Sequence, residues 1–276
     1  HRAGAGMHRK IMDYFQPSLY LGMTASPERT DGFDVFSLFD HNIVYEIRLA
    51  QALEEKLLCP FHYFGISELS IGAETFDDDT RLRDFSRLVT DDRVEHIIEK
   101  AEYYGYSGNR VRGLVFCSSR EESRILSQKF NRRGFHTLDL SGEDSQTVRE
   151  RAIERLVDDT RRDALDYIFT VDIFNEGVDI PEINQIIMLR PTQSPIIFVQ
   201  QLGRGLRKSR DKEFVVVLDF IGNYRNNFMI PIALSGDLSY NKDNIRRYVT
   251  EGGRVIPGAS TIHFDEVSRK RIFQAI

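Results

Sequence analysis

In the stretch "QQLGRGLR" (200–207), Arg204 and Arg207 stand three residues apart. A guanidinium grips phosphate oxygens as a planar fork and keeps its charge at any ordinary pH. If the segment is helical, that spacing puts both groups on one face. Ser194 as N-cap and Pro195 as first helical residue predict such a helix over 194–208. Gly203 and Gly205 then lie inside it, where each costs about 1 kcal/mol relative to alanine. Their missing side chains would let a phosphate or another backbone come close. The competing reading is a solvated basic helix end.

Two further stretches carry candidate chemistry. In "FTVDIFNEGVDIP" (169–181), Gly177 permits a turn closed to other residues. Asp179 can accept hydrogen bonds from a ribose hydroxyl, and Thr170, at a strand end, can donate to a nucleic-acid phosphate. An ordinary turn closed by Pro181 would look the same. In "LVFCSS" (114–119), Ser118 and Ser119 precede a helical pattern that they could simply cap, since Ser119 and Glu122 have capping-box spacing.

These residues need a scaffold, and the pattern from about 110 to 220 supplies one. Apolar runs at 112–117, 135–140, 165–171, 185–190 and 213–221 read as strands, with amphipathic helical segments after the first two. Ile125, Leu126 and Phe130 form the stripe of one helix, which Gly134 ends; Val148, Ile153 and Leu156 mark another at 145–157. Strands apolar on both faces and separated by helices predict an α/β fold with a parallel sheet covered on both sides. Ligands of such sheets sit beyond the carboxyl ends of the strands, after Cys117, Val171 and Arg190 here. "SLYLGMTAS" (18–26) reads as a strand running into a loop, and residues 66–93 as a polar surface excursion. Beyond 237 the pattern predicts no particular shape.

Composition narrows the classes. Of 276 residues, 41% are hydrophobic and 29% charged, the profile of a globular chain with a substantial core. No apolar run approaches the roughly 20 residues that span a bilayer, and no signal-peptide pattern opens the chain. Cys59 and Cys117 have no partners at metal-ligand spacing, so neither a zinc site nor a disulfide framework is expected, and the cytoplasm is the expected location. A net charge of −5 neither announces nor excludes a nucleic-acid binder, because local patches decide that.

In order, "TAS" (24–26), "LVFCSS", "FTVDIFNEGVDIP" and "QQLGRGLR" resemble motifs III to VI of superfamily 2 helicases. "GMTASPERTDG…LFD" and the tail "LSGDLSYNKDNIRRYV…IPGASTIHFDEVSRKRIF" look like a bacterial DEAD/DEAH-box subgroup related to restriction-enzyme motor subunits. The resemblance implies a RecA-like parallel sheet with helices on both faces. Residues 1–42 would be the trailing part of a first RecA-like, ATP-binding domain, 43–236 the second, and 237–276 the start of a C-terminal extension. It further implies ATP and Mg2+ in the full-length enzyme, with hydrolysis at the interface between the two domains. Arg204 and Arg207 would be arginine fingers, with Gly177, Asp179, Gln200 and Gly203 binding nucleotide. Ser118, Ser119 and Thr170 would contact nucleic acid, and Thr24 and Ser26 would couple the two sites. The implied partners are DNA ahead of RNA and the first domain of the same polypeptide, with no membrane.

Departures from the family pattern matter too. Glu176 stands where the family often has arginine, just before the motif V glycine. No Gly-Lys dipeptide supplies a Walker A loop, and no Asp-Glu pair precedes "TAS"; the family usually reads Asp-Glu-x-His where this chain begins "HRAGAG". The isolated chain is therefore expected to bind neither ATP nor Mg2+ and to be inactive. "TIHFDE" (261–266) mimics a strand-plus-acidic motif but lies after motif VI, the wrong order. The rival from another class is a non-catalytic nucleic-acid-binding module of the same fold. A glycosyl- or methyltransferase-like enzyme would lack its glycine-rich fingerprint and leave "QQLGRGLR" unexplained.

Overall fold

The computed structural model describes residues 6–15, 18–24, 34–69, 89–171, 180–190, 195–221, 227, 229–235, 241–251 and 259–276. The chain divides into two compact units, His1–Arg48 and Leu49–Ile276.

In the first unit, helix α1 (Gly6–Tyr14) is followed by an extended segment over 18–24 and a 3-10 turn at Phe36–Phe39. The Tyr20 hydroxyl donates to the carbonyls of Met12 and Phe15, tying that segment back to the end of α1. The strand expected at 18–26 does not form over 18–24. No described segment runs beside it to complete a ladder, and a lone extended stretch has nothing to pair with.

The second unit is built on one sheet. Strands β1 (Phe61–Ser67), β2 (Gly113–Phe116), β3 (Thr137–Leu140), β4 (Tyr167–Thr170), β5 (Gln185–Met188), β6 (Val215–Ile221) and β7 (Thr261–Phe264) lie in the order β3-β4-β2-β5-β6-β1-β7. Every pairing is parallel. Alternate residues feed two cores: Leu114, Phe116, Ile186 and Val217 point to one side, and Val115, Phe169, Ile187 and Leu218 to the other. The two-sided burial confirms the α/β parallel sheet expected from the apolar runs.

Helices α2 (Leu49–Glu54), α3 (Asp91–Tyr104), α4 (Arg120–Arg132), α5 (Gln146–Val157), α6 (Pro195–Gly203), α7 (Met229–Ser235), α8 (Lys242–Glu251) and α9 (Glu266–Ala275) accompany the sheet. On α4, Leu126 and Phe130 are fully buried as the stripe predicted, and Gly134 follows with φ +91°. On α5, Leu156 is buried, but Val148 is exposed; Ala152 takes its place on the buried face.

Two strands escaped the sequence pattern. β1 lies between β6 and β7, and β7 brings the stretch beyond 237 into the same sheet, together with α8 and α9. The surface excursion expected at 66–93 is anchored at both ends: Ile66 in β1 and Glu68 just after it are buried, and Arg93 has no exposure at all. Residues 70–88 between them lie outside the described residues.

Candidate functional site

Because all strands run the same way, their carboxyl ends share one edge of the sheet. Ser118 and Thr170 meet there. The Cys117 N–H donates to the Thr170 carbonyl at 2.9 Å, and the Ser118 hydroxyl reaches the Leu189 carbonyl at 3.5 Å. Ser119 caps α4 by accepting the Glu122 N–H at 3.1 Å, and the Glu122 carboxylate accepts the Ser118 N–H at 2.7 Å. The capping-box reading thus holds, with the glutamate reaching one residue further back than usual. Thr170 is fully buried and its hydroxyl has no hydrogen-bond partner among the described residues. It sits under this edge rather than on it, so a phosphate would reach it only after local opening.

A buried ion cluster supports the serine loop from below. Arg93 donates to Glu68 through Nε and Nη2 (2.7 and 3.3 Å) and to Glu122 through Nη1 (2.8 Å). Opposing burial, the two carboxylates keep the guanidinium charged, its pKa raised above the ordinary arginine value. One cation therefore joins the end of β1, the first turn of α3 and the cap of α4. The sequence offered a signal for it: Arg93 lies four residues before Ile97 and eight before Ala101, on the buried stripe of α3.

The arginine pair lies elsewhere. α6 ends at Gly203, short of the expected 208, and Ser194 lies outside the described residues. Arg204, Gly205 and Leu206 continue with tighter bonds to Gln201, Leu202 and Gly203 at 3.2, 3.1 and 3.4 Å. The cause is Gly205. A Cβ there would come within 3.0 Å of both Ile186 and Val215 and 3.4 Å of Ile183, so the turn lies flat on the sheet where β5 and β6 begin. Leu206 also accepts the Cys59 N–H just before β1, at 2.7 Å. The helix-interior expectation for Gly203 and Gly205 is thus corrected: neither glycine interrupts a helix, and only Gly205 is demanded by packing. A Cβ on Gly203 would meet nothing within 4 Å. Arg204 is half-buried with Nε 3.3 Å from the Gln200 carbonyl, while Arg207 is exposed.

The expected residues therefore form two groups, the serines and Thr170 at the carboxyl edge, and Gln200, Gly203, Arg204 and Arg207 near the amino edge. As connections of a parallel sheet must, the β5–β6 connection that carries the arginine turn returns from one edge to the other, and so does the β4–β5 crossover. Gly177 and Asp179 belong to that crossover but lie outside the described residues, as does Ser26; Thr24 is exposed in the extended segment of the first unit. Its far end is held by Lys212. The buried Nζ donates to the carbonyls of Ile183 and Gly205, both at 2.8 Å, and to that of Pro181. Lys212 sits in a charged run and carried no sequence signal.

Comparison with known proteins shows where the family likeness lies. Residues 93–209 match the helicase conserved C-terminal domain. That stretch is a helicase C-terminal domain. IRC3 of Saccharomyces cerevisiae, which carries the name of an ATP-dependent helicase, is 26% identical over 232 residues, covering 80% of this chain and 33% of the relative. An HsdR subunit fragment of a type I restriction enzyme from Vibrio vulnificus YJ016 shares the fold with a TM-score of 0.59 at 23% identity, covering 77% of this chain and 41% of that one. The DNA-bound type ISP restriction-modification enzyme LlaBIII does so at 0.53 and 16% identity, covering 92% and 19%. The helicase domain thus has the RecA-like sheet that its motifs implied, and the chain spans about a third of the length of IRC3.

Beyond this helicase domain, "TIHFDE" is no acidic motif. Asp265 caps α9, accepting the backbone N–H groups of Ser268 and Ser67, both at 2.6 Å. Among the described residues no group of three or more His, Cys, Asp or Glu side chains could hold a metal ion. Nor is any described helix long and apolar enough to cross a membrane.

Proposed function

We propose that this chain is the second motor half of an ATP-dependent nucleic-acid helicase or translocase. Residues 1–42 would belong to the trailing part of the first RecA-like domain of the same polypeptide. The observation that supports the reading is that Ser118 and Thr170 lie at one edge of the sheet, while Arg204 and Arg207 lie near the other. At the carboxyl edge, Ser118 and Ser119 present a capped loop suited to phosphate-backbone contacts, to DNA before RNA, with little base reading.

Near the amino edge, the residues present fit a nucleotide triphosphate. Arg204 and Arg207 supply two fixed positive charges, and the space open around Gly203 lets phosphate approach the backbone. Gln200, Gly177 and Asp179 complete the proposed nucleotide contacts, and Thr24 and Ser26 the coupling. ATP with Mg2+, held mainly by the first domain, would supply the driving free energy. The arginines orient phosphate oxygens and stabilise charge as it develops there. Opening and closing of the interdomain gap would then shift the grip on the nucleic acid. The cytoplasm remains the proposed location.

Hydrogen-exchange footprints on the polypeptide that joins this chain to its ATP-binding half test the reading. A non-hydrolysable ATP analogue should protect amides at 203–207, and a single-stranded oligonucleotide those at 117–122. Protection by the oligonucleotide with none from the nucleotide would favour the non-catalytic binding module.

A further inference from the structure

We propose that Lys212 is a positioning residue of this motor half, a buried cation that ties the end of the β4–β5 crossover to the turn bearing Arg204 and Arg207. The inference rests on the nucleotide reading of that turn. Its geometric basis is independent of it. Three carbonyl oxygens surround one Nζ: Pro181 and Ile183 from the returning crossover, and Gly205 from the arginine turn. An ammonium has three protons for three acceptors; a neutral amine has two, and would turn a lone pair toward the third.

The location matters more than the bond count. The crossover leaves β4 beside the Ser118 loop, and Lys212 grips it where it arrives at Pro181 and Ile183, next to the arginine turn. Gly205 is packed on Ile183, Ile186 and Val215, so the turn has little freedom to shift without its neighbours. A displacement of the crossover is thereby passed to the backbone one residue from Arg204. A residue that only filled space here would need no charge.

The environment also makes the contact sensitive to pH. Burial pulls the Lys212 pKa down to about 8, opposed by the nearby Cys59 and Glu182. Lys208 acts on Cys59 as well, and Arg210, Asp211 and Glu213 flank Lys212 along the chain. Near neutrality the staple is mostly charged; as pH rises through about 8 it loses one of its three bonds.

The test pairs structure with turnover. In Lys212→Met, amide exchange at 204–206 should quicken by roughly tenfold or more while β6 stays protected, as local opening without global unfolding does. In the polypeptide carrying both motor halves, kcat for ATP should fall by up to roughly 100-fold, the cost of a misplacement of about 1 Å, with KM little changed. Arg204→Ala and Arg207→Ala run alongside. If those variants keep full turnover, the nucleotide reading fails. If they lose it while Lys212→Met keeps kcat, the positioning role is overturned even though the reading stands. Should Lys212→Met not fold, the unaltered protein decides. A kcat that falls in step with loss of the Lys212 ammonium, followed by NMR, supports the role. A kcat that holds while the ammonium is lost overturns it.

Discussion

At the scale of single residues, the two glycines of "GRG" separate cleanly. Gly205→Ala must push into Ile186 and Val215, and overpacking of this kind costs about 1–3 kcal/mol. Gly203→Ala points into open space at a helix end and should be neutral or stabilise by up to about 1 kcal/mol. Thermal melts of the two variants check this; equal effects would show that the turn is not seated as described. Asp219 offers a second case. It lies buried in β6 and accepts the Tyr63 hydroxyl at 2.7 Å, and burial pushes its pKa up to about 7 against the opposing hydrogen bond. A carboxyl whose folded pKa is raised contributes stability that is full below its unfolded value near 4 and lost as pH rises through 7. The unaltered chain should therefore be more stable at pH 5 than at pH 8 by about 2–3 kcal/mol at most from this group. Asp219→Asn keeps an acceptor for Tyr63 and should flatten that dependence; denaturant melts at both pH values measure it.

At the scale of elements, what was legible in the sequence is what local pattern controls. The runs that became β2, β4, β5 and β6 are apolar on both faces, and nothing but a covered parallel sheet explains them. β1 was hidden because "FHYFGIS" interleaves His, Gly and Ser with its aromatics, and β7 because four residues at a sheet edge leave almost no pattern. The end of α6 could not be read either, since a contact with β5 and β6, distant in sequence, stops it. The capping box at Ser119 was visible, but the reason Glu122 can be buried was not: Arg93 arrives from a different helix. Arg93→Met would leave Glu68 and Glu122 buried beside no counter-charge, at a cost of roughly 3–5 kcal/mol. Removing Glu68 and Glu122 along with Arg93, in favour of apolar residues, should recover much of that loss. A triple variant as unstable as Arg93→Met would show that the cluster is needed for shape rather than charge balance.

At the scale of the whole molecule, one parallel sheet sets Ser118 and Thr170 at one edge and Arg204 and Arg207 near the other. Neither set is complete alone: the arginine turn offers charge but no phosphate-cradling loop among the described residues. The isolated chain is therefore predicted to turn over no ATP, and magnesium-dependent hydrolysis by the purified chain that Arg204→Ala abolishes would refute this. The most direct measurement is nucleic-acid-stimulated ATP turnover by the polypeptide that carries both motor halves, with Arg204 or Arg207 changed to alanine. Each change should lower kcat by roughly 10³-fold or more, and lysine should restore little of it. For the exposed Arg207 the melting temperature should hardly move, within the roughly 0.5 kcal/mol usual for surface substitutions. Turnover that survives the loss of either arginine, or a loss that merely follows unfolding of this chain, would contradict a role for the turn in completing the ATP site.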